Sequence, residues 1–471
     1  MIMASAFRLR LRVSVLRLCA LALPLLAPAA HAQTPETEVM VVKETGPRDK
    51  RVNIVILGDG YVASEKAKFL THMKTVADAV IKDLPLTEYS DYFNLYGIFV
   101  PSNQSGADIP AQGIMRDTYY GASYSGRLLT ISTTKAFSVI NKNLPEADMQ
   151  FIVVNYDMYG GSGGQVAVAN YADPEIIAHE AQHSFSGLGD EYDYEGVTPW
   201  ESPNTTKQTN RSQVRWNHWI AETTPVPTPE TQAYAKLSGL FEGAAYNATG
   251  WYRPKQNCRM RENGIPFCEA CSETIILSMY EKVSPMDSAF PKPGVAPVAV
   301  AMNEIPPLRV KPKVPLEHTL AVAWIVDGKL VSTASGTQFN QTLAPGSHKV
   351  TARVTDTTHM VRKDPDGLLN DSVSWQVSVF STTALGGMGN ATAPTLLGAN
   401  AKEAWFRATA GRMAAIRLLS ADGRELENRS VRGDASGRGR VAWSHAQAPG
   451  HYLIELASEG RRFRFACSFS P

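Results

Sequence analysis

The chain has almost no net charge: 46 lysines and arginines against 45 aspartates and glutamates leave a formal +1. That balance gives no electrostatic case for nucleic acid or an anionic membrane as partner. Cysteine is scarce, with five in 471 residues, which excludes a disulfide-dense scaffold. After the N-terminal segment no apolar run approaches the ~20 residues of a spanning helix, so no membrane span is expected. Gly58-Asp59-Gly60 is followed by neither Rossmann nor Walker spacing. It reads as a tight strand-to-helix turn and not as a nucleotide loop. No internal sequence repeat is evident beyond a loose likeness of two C-terminal β segments.

What is present points to an exported, multi-domain chain. At 44% hydrophobic and 19% charged residues the chain can build real cores, and its length implies two or three domains. Residues 1–32 hold four arginines and no Asp, Glu or Lys, then an apolar stretch from Leu18 to Ala29 and the small-x-small triplet Ala30-His31-Ala32. This predicts a signal peptide cleaved after Ala32. The apolar run is too short for an anchor, and Pro24 and Pro28 interrupt it. Cys19 lies inside the run, which argues against a lipoprotein. The expected location is therefore secreted, periplasmic or cell-surface. Export favours a disulfide between Cys258 and either Cys268 or Cys271. The Cys268-x-x-Cys271 pair lacks two further thiolates at suitable spacing, so structural zinc is only weakly supported.

Residues 52 to 170 alternate strand and helix signals, an α/β arrangement. Val52 to Leu57, Phe93 to Val100 and Phe151 to Val154 read as strands. Phe69, Met73, Val76 and Val80 fall at helical spacing after Ser64, a candidate cap, and Arg127 to Lys142 reads as a helix. A glycine-rich segment, Gly160 to Gly164, precedes a short strand from Gln165 to Asn170. Asp173-Pro174 then opens a helix as cap and first residue. From about Pro291 helix signals give way to strands: Ala321 to Val326, the turn Asp327-Gly328, Leu330 to Ala334, Lys349 to Val354 and Ser374 to Val379. The expected organisation is a signal peptide (1–32), a catalytic domain (33–290), an immunoglobulin-like β-sandwich (297–380), a linker (381–400) and a second small β module (401–471).

The predicted helix carries His179-Glu180-Ala181-Gln182-His183, an H-E-x-x-H pattern. Residues four apart share a helix face, so both imidazoles can reach one ion, while Glu180 stands beside them to handle a proton. Zinc suits imidazole and carboxylate donors, one ion per chain. A chance match in a chain with ten histidines is on the order of one in a hundred. The context of a capped helix after a glycine-rich strand adds weight. Gly187 can end the helix in left-handed backbone and Gly189 can keep the chain near the ion. That returns Asp190 as third ligand, preferred over Glu191, for which an outer role accepting from a histidine is the alternative. The metzincin pattern fails here, because its third ligand would fall on Gly189.

The run AHEAQHSFSGLGDEYDY resembles the zinc signature of the bacterial IgA Peptidase family of metallopeptidases. The likeness extends to NIVILGDGY, FNLYGIFVPSNQSGAD, YGGSGG, SPNTT and YRPKQNCRM followed by FCEAC, about residues 50 to 275 in family order. The resemblance implies a zincin-like endopeptidase with His179 and His183 as ligands, Glu180 as catalytic acid/base and an acidic third ligand from the GDEY stretch. It does not make immunoglobulin A the substrate.

Three further roles are expected from the residues. Met260 resembles the methionine turn beneath zinc in metzincin-like enzymes. Tyr252, or alternatively Tyr192, is a candidate oxyanion stabiliser. The strand edge around Gly161, Gly163 and Gly164 can pair with an extended peptide substrate. The lone histidines His72, His218, His318 and His348 read as structural or solvent-exposed. Two rivals compete: a non-catalytic surface-binding protein on a degenerate peptidase scaffold, and a zinc hydrolase of non-peptide amides or esters. The intact histidines and Glu180 weigh against the first, the peptide-binding edge against the second. Contact with a cell-surface protein or glycan is an expectation for the C-terminal β modules.

Overall fold

Two apolar segments, Val52–Asp59 and Phe93–Phe99, are buried along their whole length, as strands covered on both faces must be. In the computed structural model they lie side by side. It describes residues 37–471 except 195–199, 296, 333–335, 381–394, 400–401, 436, 449, 459–460 and 470–471. The expected signal peptide, and the linker apart from residues 395–399, lie outside the described residues. Eight strands make the largest sheet: β1 (Glu38–Lys43), β2 (Val52–Asp59), β3 (Phe93–Phe99), β4 (Ser123–Ser125), β5 (Leu128–Thr130), β6 (Met149–Val154), β7 (Gly161–Ser162) and β8 (Ala167–Asn170). Their order is β1-β3-β2-β6-β8-β7-β5-β4. The central pairs β3-β2, β2-β6 and β6-β8 are parallel.

Alternate residues of a strand face opposite sides, and β2 shows it. Ile54 and Ile56 enter one core with Phe69, Met73 and Val76 of helix α1 (Lys66–Ile81), Ile177 of α3 (Pro174–Phe185) and Ile275 of α4 (Glu269–Lys282). Val55 and Leu57 enter a second core with Ala136, Val139 and Ile140 of α2 (Thr133–Asn143). Fully burying a side chain such as Phe69 or Ile54 stabilises by roughly 1.5–3 kcal/mol. Helices on both faces of a mostly parallel sheet follow from these buried strands.

Local signals misplaced some boundaries. Ser64 does not cap α1; it lies in a 3-10 turn, and Glu65 accepts from the backbone N–H of Val62. The first part of the segment expected as a helix from Arg127 is β5, and α2 begins only after Ser132, whose hydroxyl caps it by accepting from Lys135 N.

The remainder is β-structure. Strands β9 (Phe241–Ala244) and β10 (Asn247–Arg253) form a hairpin, and β11 (Met286–Phe290) pairs with β13 (Arg309–Pro312). A five-stranded sheet contains β12 (Val298–Ala301), β14 (Ala321–Val326), β15 (Lys329–Ser332), β16 (Gly346–Thr355) and β17 (Asn370–Phe380), in the order β12-β17-β16-β14-β15. Its core includes Trp324, Val350, Val354, Trp375 and Val377. Strands between Thr395–Ala399 and Arg461–Phe469 form a three- and a four-stranded sheet around Phe406, Ile416 and Ile454. The chain is thus a mixed α/β protein with several sheets and few helices. The connection between β16 and β17 reaches back, so that Leu369 joins the core of the large sheet.

Candidate metal centre

Helix α3 opens at Pro174, where a missing N–H goes unnoticed because the first turn has no intrahelical acceptor. Asp173 occupies the cap position but does not cap; its carboxylate accepts from Asn170 Nδ2 at 2.9 Å. The helix ends where Gly187 takes φ +64°, a conformation that side-chain-bearing residues resist. The turn returns Asp190 over the helix. Its Oδ1 lies 3.0 Å from His179 Nε2 and 3.4 Å from His183 Nε2, and the two Nε2 atoms are 3.2 Å apart.

The outer nitrogens fix the tautomers. His179 Nδ1 lies 3.0 Å from the Arg259 carbonyl and His183 Nδ1 2.7 Å from the Leu188 carbonyl. A carbonyl can only accept, so each Nδ1 carries a proton and each Nε2 points inward, placed to offer a lone pair to a metal ion. Two imidazole nitrogens and a carboxylate oxygen meeting at one point are a donor set that could hold a metal ion. A tetrahedral ion with bonds of about 2.0–2.1 Å spaces its ligands about 3.3–3.4 Å apart, close to the separations found. Asp190 Oδ2 is held by Tyr246 Oη, which donates at 2.7 Å.

The same convergence shapes the acid–base properties of the unmetallated site. Burial would lower His183, but its hydrogen bond to Asp190 and the charges of Asp190 and Glu180 hold it up at about 9. Burial would raise Asp190, yet hydrogen bonds from His179 and His183 keep it well below the usual carboxylate range. Glu180, with Oε2 3.8 Å from His183 Nε2, is raised, chiefly by burial and further by Asp190, against the lowering charges of the two histidines.

These groups lie in a cleft of about 820 Å³ whose walls include Arg127, Tyr159, Tyr192, Tyr194, Trp200 and Tyr246. Tyr159, Tyr194 and Trp200 are exposed. The family model of IgA Peptidase M64 matches residues 40–236 and 230–279, together just over half of the chain. The chain belongs to the IgA Peptidase M64 family.

No curated protein matches this M64 peptidase. Among solved structures, fibronectin(III)-like modules of Clostridium thermocellum CbhA match with 14% identity and a TM-score of 0.16, over 39% of this chain and 91% of that one. A Parabacteroides merdae β-glucuronidase matches with 10% identity and a TM-score of 0.16, over 47% of this chain. This chain spans 28% of that enzyme's length. Likenesses with such TM-scores say nothing of fold or function.

Within the M64 peptidase the other expected residues are distributed as follows. Glu191 accepts from neither histidine, because the Arg259 and Leu188 carbonyls take that place. It turns the opposite way and is fully buried, with Oε1 accepting from Asn204 Nδ2 at 2.9 Å. Tyr252 is absent from the cleft wall; it belongs to the core and its backbone pairs with Thr206. Tyr192 does line the cleft, its ring stacked on His179 at 5.9 Å between centroids. Met260 is fully buried, and its carbonyl accepts from Glu191 N at 2.9 Å.

The glycine edge is only partly an edge. Gly161 pairs with Leu128 on one side and Ala169 on the other, so β7 is flanked there on both sides. The segment leaves the ladder after Ser162. A Cβ on Gly163 would lie 2.8 Å from Glu180 Oε2 and 3.0 Å from His183 Cδ2, so a side chain there would have to displace these two groups or the backbone. The lone histidines are paired elsewhere, His318 for example with Glu88 and Asp356.

The expected disulfide is not formed: Cys258, Cys268 and Cys271 are free thiols, with Cys258 and Cys271 Sγ 3.7 Å apart. A disulfide needs sulfurs about 2.05 Å apart.

Sequence reasoning missed Tyr246 and Asn204. Asn204 also clasps Gly189, accepting from its N–H at 2.7 Å and donating to its carbonyl at 2.8 Å. The SPNTT segment was the signal available for Asn204; nothing marked Tyr246.

Proposed function

We propose that this peptidase is a zinc-dependent endopeptidase, exported, with His179, His183 and Asp190 holding one catalytic ion. The observation that carries the reading is the meeting of two imidazole lone pairs and a carboxylate oxygen at one point, with both Nδ1 protons committed to carbonyls. Zinc, when bound there, would supply Lewis acidity and bring the pKa of water down towards ~7. Glu180 takes the proton of the attacking water and delivers it to the leaving nitrogen. Its raised affinity for a proton suits both halves of that task. Tyr192, on the cleft wall, takes over the oxyanion role expected of Tyr252. The backbone of Gly163 and Gly164, beyond the ladder, lies against an extended peptide in the open cleft.

The reading extends to the whole chain. Residues 1–32 serve as signal peptide, 33–290 as a zincin-like catalytic domain, 297–380 as an immunoglobulin-like sandwich and 401–471 as a second β module. Separate cores in the last two support that division. Among the described residues no helix is long and apolar enough to cross a membrane. The β modules are assigned to contacts with protein or glycan at a cell surface.

The test compares wild type, Glu180→Gln and His183→Ala for metal content and for hydrolysis of an unselective protein substrate. Glu180→Gln should keep the wild-type metal content and lose hydrolysis by about 10²–10⁴-fold, while His183→Ala should lose about one metal per chain. Wild-type turnover by Glu180→Gln would remove the proposed mechanism.

A further inference from the structure

Asp190 and Glu191 are neighbours that face two different clusters. Glu191 Oε2 is buried with no hydrogen-bond partner among the described residues. Beside this carboxylate lie the buried thiols of Cys258, Cys268 and Cys271. One donor atom from each of the four residues lies within 4.8 Å of every other. An unpaired buried carboxylate oxygen is costly, and a cation is the usual remedy.

Spacing distinguishes an ion from a crosslink. A tetrahedral ion with sulfur bonds of about 2.3 Å holds two sulfurs about 3.8 Å apart, and an oxygen ligand about 3.5–3.6 Å from each sulfur. Cys258 Sγ and Cys271 Sγ are 3.7 Å apart, and Cys271 Sγ is 3.4 Å from Glu191 Oε1. These are ligand–ligand distances, well outside the ~2.05 Å of a disulfide. We propose that Cys258, Cys268, Cys271 and Glu191 bind a structural zinc ion, separate from the catalytic centre.

The surroundings are built for the negative charge of such a ligand set. Cys268 is the N-cap of α4 and Cys271 lies in its first turn, where the helix dipole favours thiolates. Cys268 N–H donates to Cys258 Sγ at 3.3 Å. Binding releases the three thiol protons and closes the coordination with three sulfurs and one oxygen. The fourth ligand missing from the cysteine spacing thus comes from the loop that also carries Asp190. The ion would brace that loop from behind. It would also hold the Cys258 segment, whose Arg259 carbonyl orients His179 and whose Met260 carbonyl holds Glu191 N.

The test uses the full chain, purified from an exporting host without reductant or chelator. Elemental analysis should give about two zinc ions per chain, about one in His183→Ala, and about one in Cys258→Ser/Cys271→Ser. Because the cysteine variant can fail to fold, wild type is also denatured without reductant and alkylated, with and without chelator, and its peptides mapped by mass. Alkylation of all three cysteines with chelator alone supports the site. A pair that reacts only after reduction is a disulfide and overturns it, as does a wild-type zinc content that falls to zero in His183→Ala. Neither readout depends on hydrolysis, so the two sites can fail independently.

Discussion

Tyr246 holds Asp190 Oδ2 from a two-residue hairpin turn in which Ala245 and Tyr246 have φ +52° and +60°. Residues with side chains rarely adopt this backbone, so the turn is held by its contacts: Ala245 N donates to Asp190 O at 3.0 Å and Tyr246 N to Tyr192 O at 2.8 Å. Removing the hydroxyl should loosen the third ligand without disturbing the fold. Tyr246→Phe is expected to weaken metal binding by about 10–100-fold, read by competition with a chromogenic chelator; unchanged affinity would free Asp190 of any need for this support. Gly163→Ala tests the other wall. A methyl 2.8 Å from Glu180 Oε2 must displace the carboxylate or the strand, so kcat should fall at least about tenfold while metal content stays at the wild-type value.

At this scale the sequence was legible where chemistry repeats along a helix. His179, Glu180 and His183 follow from spacing, and the glycines after them explain why Asp190 can return. Tyr246 comes from a hairpin far along the chain in a turn without the usual glycine, so no local pattern announces it. The glycine spacing favours Asp190 over Glu191 as third ligand, but nothing local shows that Glu191 faces the cysteines instead. The cysteines misled for a related reason: a disulfide assumes one partner, whereas the fold gathers three thiols and a carboxylate.

Among elements, the buried strands were the most readable, since β2 and β3 are rich in apolar residues, Ile54 to Leu57 being unbroken. Helix starts were the least. Ser64 and Asp173 are good capping residues by type, but Glu65 and a lateral bond from Asn170 decide those ends instead. Strand β5 was read as helix because a three-residue strand is too short to show its period. The end of α3 offers a measurable case. Gly187→Ala places a side chain at φ +64° and should cost about 1–2 kcal/mol, seen as a lower Tm. No loss of Tm would mean that the turn can relax to another backbone.

For the molecule as a whole, the junction between the large sheet and the β-rich half is polar and buried. Asp356, between β16 and β17, accepts from Tyr89 Oη and Tyr280 Oη, each at 2.7 Å, from Thr358 N at 2.8 Å, and pairs with His318 Nε2 at 2.8 Å. Substituting Asp356→Ala strands these partners in a buried site and should destabilise the chain by about 3–5 kcal/mol, measured by urea unfolding. A loss under about 1 kcal/mol would show that water can replace the carboxylate there. None of this network was readable beforehand, because it joins Tyr89 to Asp356 and Glu88 to His318 across 267 and 230 residues of sequence.

Strand β12 enters the five-stranded sheet and β17 leaves it, and the two are parallel neighbours paired from Val298 with Val377 to Ala301 with Phe380. Tension drawn along the chain, inward at Val298 and outward at Phe380, would slide these strands past one another. The backbone hydrogen bonds between them would then share the load together instead of opening one by one. Were the far end of the chain tethered, the segment between tether and cleft would act as a mechanical clamp, resisting drag before the peptidase felt it.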